Sequence, residues 1–225
     1  MRARYLALAL VCLVSSTAAA GAPKVDLALA LAVDVSSSVD AQEDALQWAG
    51  YRAAFLDRRV ADVIAGGRAG RIAVMVLEFG GPHEQRVTLG WHLIADAADA
   101  RALSAAISAH SRGRAMTGGT ALGAALQRAG ALLRTCPCDP ERRVIDVSGD
   151  GENNRGPAPD QVRNYLLAAG VTVNGLPLSG GSDSPDLARY YEDHVIGGDG
   201  SFSVPVEDPA ASRLPAAACT SIKRR

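Results

Sequence analysis

Four oxygen-bearing residues stand where the chain leaves apolar runs, and a fifth follows a Gly-Gly turn. Asp34, Ser36 and Ser38 occupy alternate positions just after the apolar run of residues 25–33. Thr120 follows Gly118-Gly119, and Asp150 lies in Ser148-Gly149-Asp150-Gly151, after a third long apolar run. Two carboxylates and three hydroxyls make a hard-oxygen donor set, which suits Mg²⁺, Mn²⁺ or Ca²⁺ rather than zinc or copper. Hydroxyls bring no formal charge, so a cation held largely by them stays electrophilic and takes an anionic ligand from outside. Each piece also has a plainer use. Ser38 is placed to cap a helix beginning near Asp40, Gly-Gly-Thr is a common helix-opening turn, and Asp-Gly is a common turn. The conjunction at strand and loop ends carries the metal reading.

The elements that position these residues alternate in type. Residues 25–33, 71–79, 143–148 and 171–178 read as strands, the first two as near-continuous apolar runs of the kind buried on both faces of a parallel sheet. Residues 85–93 alternate weakly, as a shorter edge strand does. Helical spacing covers 40–63, with Leu46, Tyr51, Phe55 and Leu56 as buried positions and Gly66-Gly67 as the stop. Further helices are expected over 96–110, 120–134, 161–169 and 185–194, and a final short strand over 202–206. Strands alternating with helices mean βαβ units: an α/β, doubly wound, mainly parallel central sheet with helices on both faces. Ligands of such sheets sit beyond the carboxyl ends of the strands, where Asp34, Ser36, Ser38 and Asp150 lie.

Composition narrows the classes. A net charge of −1 gives no electrostatic pull toward nucleic acid or an anionic membrane, and 4% aromatic residues leave little for stacking on bases or sugars. Residues 1–20 have the layout of a secretory signal peptide: Arg2 and Arg4, an apolar run from Tyr5 to Val14, then small residues ending A-x-A at Ala20. The protein is therefore expected to be exported, periplasmic or secreted, with no membrane span in the mature chain. Three cysteines remain after cleavage. Cys136-Pro137-Cys138 is C-x-C, not the C-x-x-C of zinc or redox sites. The expectation is one disulfide from Cys136 or Cys138 to Cys219, tying down the C-terminal segment 207–225 in an oxidising compartment.

Asp34-x-Ser36-x-Ser38, Thr120 in GGTALGAAL and Asp150 in VSGDGENN together resemble the metal-ion-dependent adhesion site of von Willebrand factor A domains. Within that superfamily the chain is similar to a group of exported bacterial proteins of unassigned function. The resemblance runs over about 24–206, and all five motif positions are present. It implies that Ser36, Ser38 and Thr120 contact a divalent cation, with Asp34 and Asp150 binding it directly or through water. It further implies one antiparallel edge strand in the sheet, and binding rather than catalysis. The expected partner is a protein ligand offering a carboxylate.

The competing reading is a Mg²⁺-dependent hydrolase or phosphatase working from the same strand-end carboxylates. Dehalogenase-type phosphatases place an acid/base two residues after the nucleophilic Asp, and here that residue is Ser36. Asn154 stands where the later acidic pair would be completed. Neither G-x-S-x-G nor a P-loop occurs. His83, His92, His110 and His194 are scattered and read as surface or satisfied histidines; Trp48 and Trp91 read as core or rim anchors. Residues 78–82, Asn153, Asn154, Arg155 and the Arg112-Gly113-Arg114 loop are expected to rim the metal face. The arginines favour an acidic partner.

Overall fold

The computed structural model describes residues 21–39, 41–109, 116–178, 184–205 and 220–222. The expected signal peptide, His110, the Arg112-Gly113-Arg114 loop and Cys219 lie outside the described residues. Strand β1 (Lys24–Asp34) is central in a five-stranded sheet with order β3-β2-β1-β4-β5. Strands β2 (Ile72–Phe79) and β4 (Asp139–Gly149) pair parallel to β1 on either side, and β5 (Val171–Pro177) pairs parallel to β4. Strand β3 (Gln85–Ile94) closes the other edge, antiparallel to β2.

The alternation within β1 sorts the two faces. Leu27, Leu29, Leu31 and Val33 point to one core with Ile72, Val74, Val76 and Val144. Helices α1 (Ala41–Leu56), α2 (Arg58–Ala65) and α3 (Ala97–Ala109) cover this side through Tyr51, Phe55, Val60, Ile64, Leu103 and Ile107. Ala28, Ala30 and Ala32 point the other way, toward α4 (Leu122–Arg134), whose Ala125, Leu126 and Ala129 meet them. Alanines in the central strand keep that helix close to the sheet. Helix α5 (Pro159–Ala168) packs on the same side through Leu166; Leu187 of α6 (Ser184–Tyr190) and Tyr191 and Val195 of a following π-helical turn (Tyr191–Val195) complete it. Fully burying each large apolar side chain contributes roughly 1.5–3 kcal/mol, so the two cores account for most of what holds the sheet between its helices.

Several boundaries differ from the sequence reading. The helix expected over 40–63 is two helices. Asp57 takes extended backbone angles (φ −70°, ψ 127°), and its carboxylate accepts from the Arg59 N–H, capping α2. Leu56, expected in the core, ends α1 just before that break and is 54% exposed. Helix α4 begins at Leu122, after Thr120, which leaves Thr120 in a loop. Within 202–205, the described part of the last expected strand, Ser203 forms an isolated bridge with Gly175. Cys136 bonds to Cys138, with Cα atoms 5.2 Å apart. The expected bridge from this pair to Cys219 is thus excluded, because the single intervening proline lets the two sulfurs meet locally. Among the described residues no helix is long and apolar enough to cross a membrane.

Candidate metal centre

The sheet places the first and last of the five residues side by side. Val33 of β1 is level with Ser148 of β4, so Asp34 and Asp150 leave neighbouring parallel strands at the same end. The helices that follow β1 and precede β4 lie on opposite faces, which opens a crevice at this point of the sheet.

The loop carrying Thr120 is brought in by backbone pairing. Met116 N–H donates to Val35 C=O (3.3 Å), and Ala121 N–H to Gly80 C=O (2.8 Å). Asn154 then clasps Thr120. Its side-chain Oδ1 accepts from the Thr120 N–H (2.9 Å), and its own N–H donates to Thr120 C=O (3.0 Å). Glu84 holds the other end, accepting at Oε2 from the N–H groups of Gly81 (3.0 Å) and Gly118 (2.9 Å). Those bonds hold the Glu84 carboxyl below the usual carboxylate range, the Gly118 N–H most strongly. A Cβ on Gly81 would lie 2.8 Å from the Gly118 backbone, so only glycines let these loops touch.

All five sequence-selected residues are linked in one chain of contacts. Asp34 Oδ1 accepts from the Ser36 N–H (2.8 Å), and the hydroxyls of Ser36 and Ser38 lie 3.0 Å apart. Thr120 Oγ1 donates to Ser36 Oγ (3.3 Å), and Ser38 Oγ donates to Asp150 Oδ1 (3.0 Å). Asp34, Ser36 and Thr120 are buried, Asp150 is half-buried and Ser38 exposed, so the cluster runs from the sheet to the surface.

Its electrostatics are unbalanced. Burial pushes the Asp34 carboxyl up to about 7, against hydrogen bonds from Ser36 that lower it; the Asp150 charge raises it further. Asp34 Oδ2 is buried with no hydrogen-bond partner among the described residues. A buried carboxylate oxygen without a donor costs several kcal/mol to ionise, and a cation would supply the missing charge. The donor set and the orphaned oxygen therefore fit a hard divalent ion. Among the described residues no three His, Cys, Asp or Glu cluster around a metal-sized space. Hydroxyls would have to complete any coordination by this pair of carboxylates.

Behind the cluster, Gln47 of α1 donates to Asp34 C=O (3.4 Å) and accepts from Ser148 Oγ (2.9 Å), while Tyr51 OH donates to Ser148 Oγ (3.0 Å). Of the other residues singled out from sequence, Glu78 is buried and paired with Arg86, inside the structure rather than at a rim. Arg155 is exposed and borders an open hollow with Thr117, Gly118, Gly119 and Asn154. His92 turns Nδ1 to Gly90 C=O and His194 lies against Tyr190, ring centroids 4.8 Å apart. Trp48 is buried and Trp91 packs partly against the core. Sequence reasoning missed Glu84, Gln47 and the clasping role of Asn154.

A family model described as "Protein of unknown function (DUF1194)" matches residues 24–213. The chain belongs to this family. No curated protein matches the DUF1194 chain in sequence. Solved structures match it in fold. Proximal thread matrix protein 1 from the mussel byssus, "with zinc occupied MIDAS motif", is 17% identical with a TM-score of 0.58, over 88% of this chain and 46% of that one. "von Willebrand factor type A from Catenulispora acidiphila" is 16% identical with a TM-score of 0.56, over 88% and 42%. The pilus adhesin SpaC from Lactobacillus rhamnosus GG is 13% identical with a TM-score of 0.61, over 88% and 30%. The DUF1194 chain thus spans less than half the length of each. It has the von Willebrand factor A-like fold, and the expected antiparallel edge strand is β3.

Proposed function

We propose that this DUF1194 chain is an exported binding module that engages an acidic group of a protein partner through a surface divalent cation. The observation that carries the reading is the convergence of Asp34, Ser36, Ser38, Thr120 and Asp150 into one contact chain with an orphaned buried carboxylate oxygen. Asp34 and Asp150 would hold the cation directly or through water, and the three hydroxyls would fill further positions. Mg²⁺ or Mn²⁺ suits these donors, with Ca²⁺ as the larger option. Bound there, the cation supplies an electrophilic centre for an incoming carboxylate.

The chain's own residues prepare that surface. Asn154 and Glu84 fix the loop that presents Thr120, and Gln47 fixes the end of β1. Arg155, at the exposed edge, adds positive charge on the side where an acidic ligand would approach. The neighbours in fold support binding rather than catalysis: one is an adhesin, and another is described "with zinc occupied MIDAS motif". A dehalogenase-type phosphatase on these carboxylates would need an acid/base where Ser36 stands.

The test is binding of the mature protein to an array of short peptides that present single Asp or Glu side chains, in Mg²⁺ and in chelator. Wild type is expected to retain acidic peptides only with Mg²⁺. Asp34→Ala and Thr120→Ala should lose them while circular dichroism stays native. Equal retention by both folded variants in chelator contradicts the proposal.

A further inference from the structure

Two buried oxygens border the same small space beside the site. Tyr191 opens the π-helical turn, is fully buried, and its hydroxyl has no hydrogen-bond partner among the described residues. Asp34 Oδ2 is in the same condition. A Cβ placed on Gly149 would lie 2.9 Å from each of them, so both atoms face the gap that this glycine leaves. The Tyr191 ring occupies a second such allowance: a Cβ on Gly175 would lie 2.7 Å from its Cδ1. Two glycines on adjacent strands thus make a slot for one phenol and aim its hydroxyl at the Asp34 side of the cluster.

A phenylalanine would fill that slot with the same apolar contact. It would also avoid the cost of leaving a buried hydroxyl unsatisfied. The turn that presents the residue is itself of the rare π type, which is enriched at functional sites. We propose that Tyr191 is a positioning residue of the metal centre: its hydroxyl, which makes no hydrogen bond to Asp34 Oδ2 in this structure, becomes the donor to that oxygen across the gap beside Gly149 when the cation is bound. The inference rests on the metal reading above. A tyrosine hydroxyl is protonated near pH 7 and can act as a neutral donor. A donor to a carboxylate favours its charged form and fixes its orientation. Partners of this kind behind metal ligands are commonly worth about 10–100-fold in affinity.

The experiment uses Mn²⁺ alone as probe, with free ion read by electron paramagnetic resonance, on the exported chain and its Tyr191→Phe variant. The variant is expected to bind Mn²⁺ about tenfold more weakly, while its metal-free melting temperature equals or exceeds that of wild type. Adding Mg²⁺ to wild type should also perturb tyrosine ultraviolet absorption, and the variant should lose that perturbation. Equal Mn²⁺ affinity overturns the assignment and leaves the metal reading standing; absence of Mn²⁺ binding by wild type overturns both. A lower metal-free melting temperature with no tyrosine perturbation in wild type means a structural role only. Should Tyr191→Phe fail to fold, the wild-type difference spectrum decides alone, and a flat spectrum overturns the assignment.

Discussion

Asp34 ends the central strand of the sheet and is itself fully buried. Its side chain is pinned on one oxygen and bare on the other, and its neighbours are selected for size as much as for chemistry. Gly149 shows this best. Adding one methyl group places carbon 2.9 Å from both Asp34 Oδ2 and Tyr191 OH, closer than van der Waals contact allows. Gly149→Ala is therefore expected to weaken cation binding at least tenfold and to cost about 1–3 kcal/mol of stability; calorimetric titration and urea unfolding measure the two. Unchanged affinity would mean that the gap plays no part in the site. Asn154→Ala should remove the clasp on Thr120 and weaken the cation by a similar factor, with a smaller loss of stability because Asn154 is exposed.

At the scale of elements, most of the fold was legible because the apolar runs of β1 and β2 are long, and helices separate the parallel strands. What the sequence hid has local physical causes. The break at Asp57 looks like one more polar position in a helix until its carboxylate is seen capping α2. Replacing it, Asp57→Ala, should lower stability, read as a fall in melting temperature with the metal affinity unchanged. The five candidate ligands could be picked out because each follows a strand or a Gly-Gly turn. Their supports could not. Asn154 reaches Thr120 across 34 residues, and Gln47 meets Ser148 across 101. Such pairings depend on strand order, which residue type and periodicity do not encode. Asn154 could be placed near the rim by its position after Asp150, but not as the partner of the Thr120 backbone. The disulfide was misplaced for a related reason: pairing within C-x-C depends on how the α4–β4 turn folds, which spacing alone leaves open.

On the scale of the whole molecule, another buried carboxyl holds residues 220–222 against the sheet. Asp146 of β4 accepts from Asn174 of β5 (2.7 Å) and from the Ser221 hydroxyl (2.8 Å), and Arg142 donates to the carbonyls of Ser221 and Ile222. Burial outweighs the two donors and raises the Asp146 carboxyl to about 6. The folded state then keeps a proton that the unfolded chain releases near pH 4. This contribution to stability is full below about pH 4 and is lost as pH rises through about 6. Asp146→Asn should flatten that part of the profile, gaining up to on the order of 3 kcal/mol on wild type between pH 4 and pH 7. Urea unfolding at a series of pH values in chelator measures it, and parallel profiles would contradict the assignment.

The same architecture sets the central claim, since the crevice between β1 and β4 is where an open α/β sheet holds its ligand. Calorimetric titration of Mg²⁺, Mn²⁺ and Ca²⁺ into the metal-free chain and into Asp34→Ala tests that claim most directly. The account predicts one saturable site in wild type for at least one of these ions, and its loss in a natively folded Asp34→Ala. Absence of heat from all three ions at millimolar concentration, or an unchanged isotherm in the variant, would contradict it.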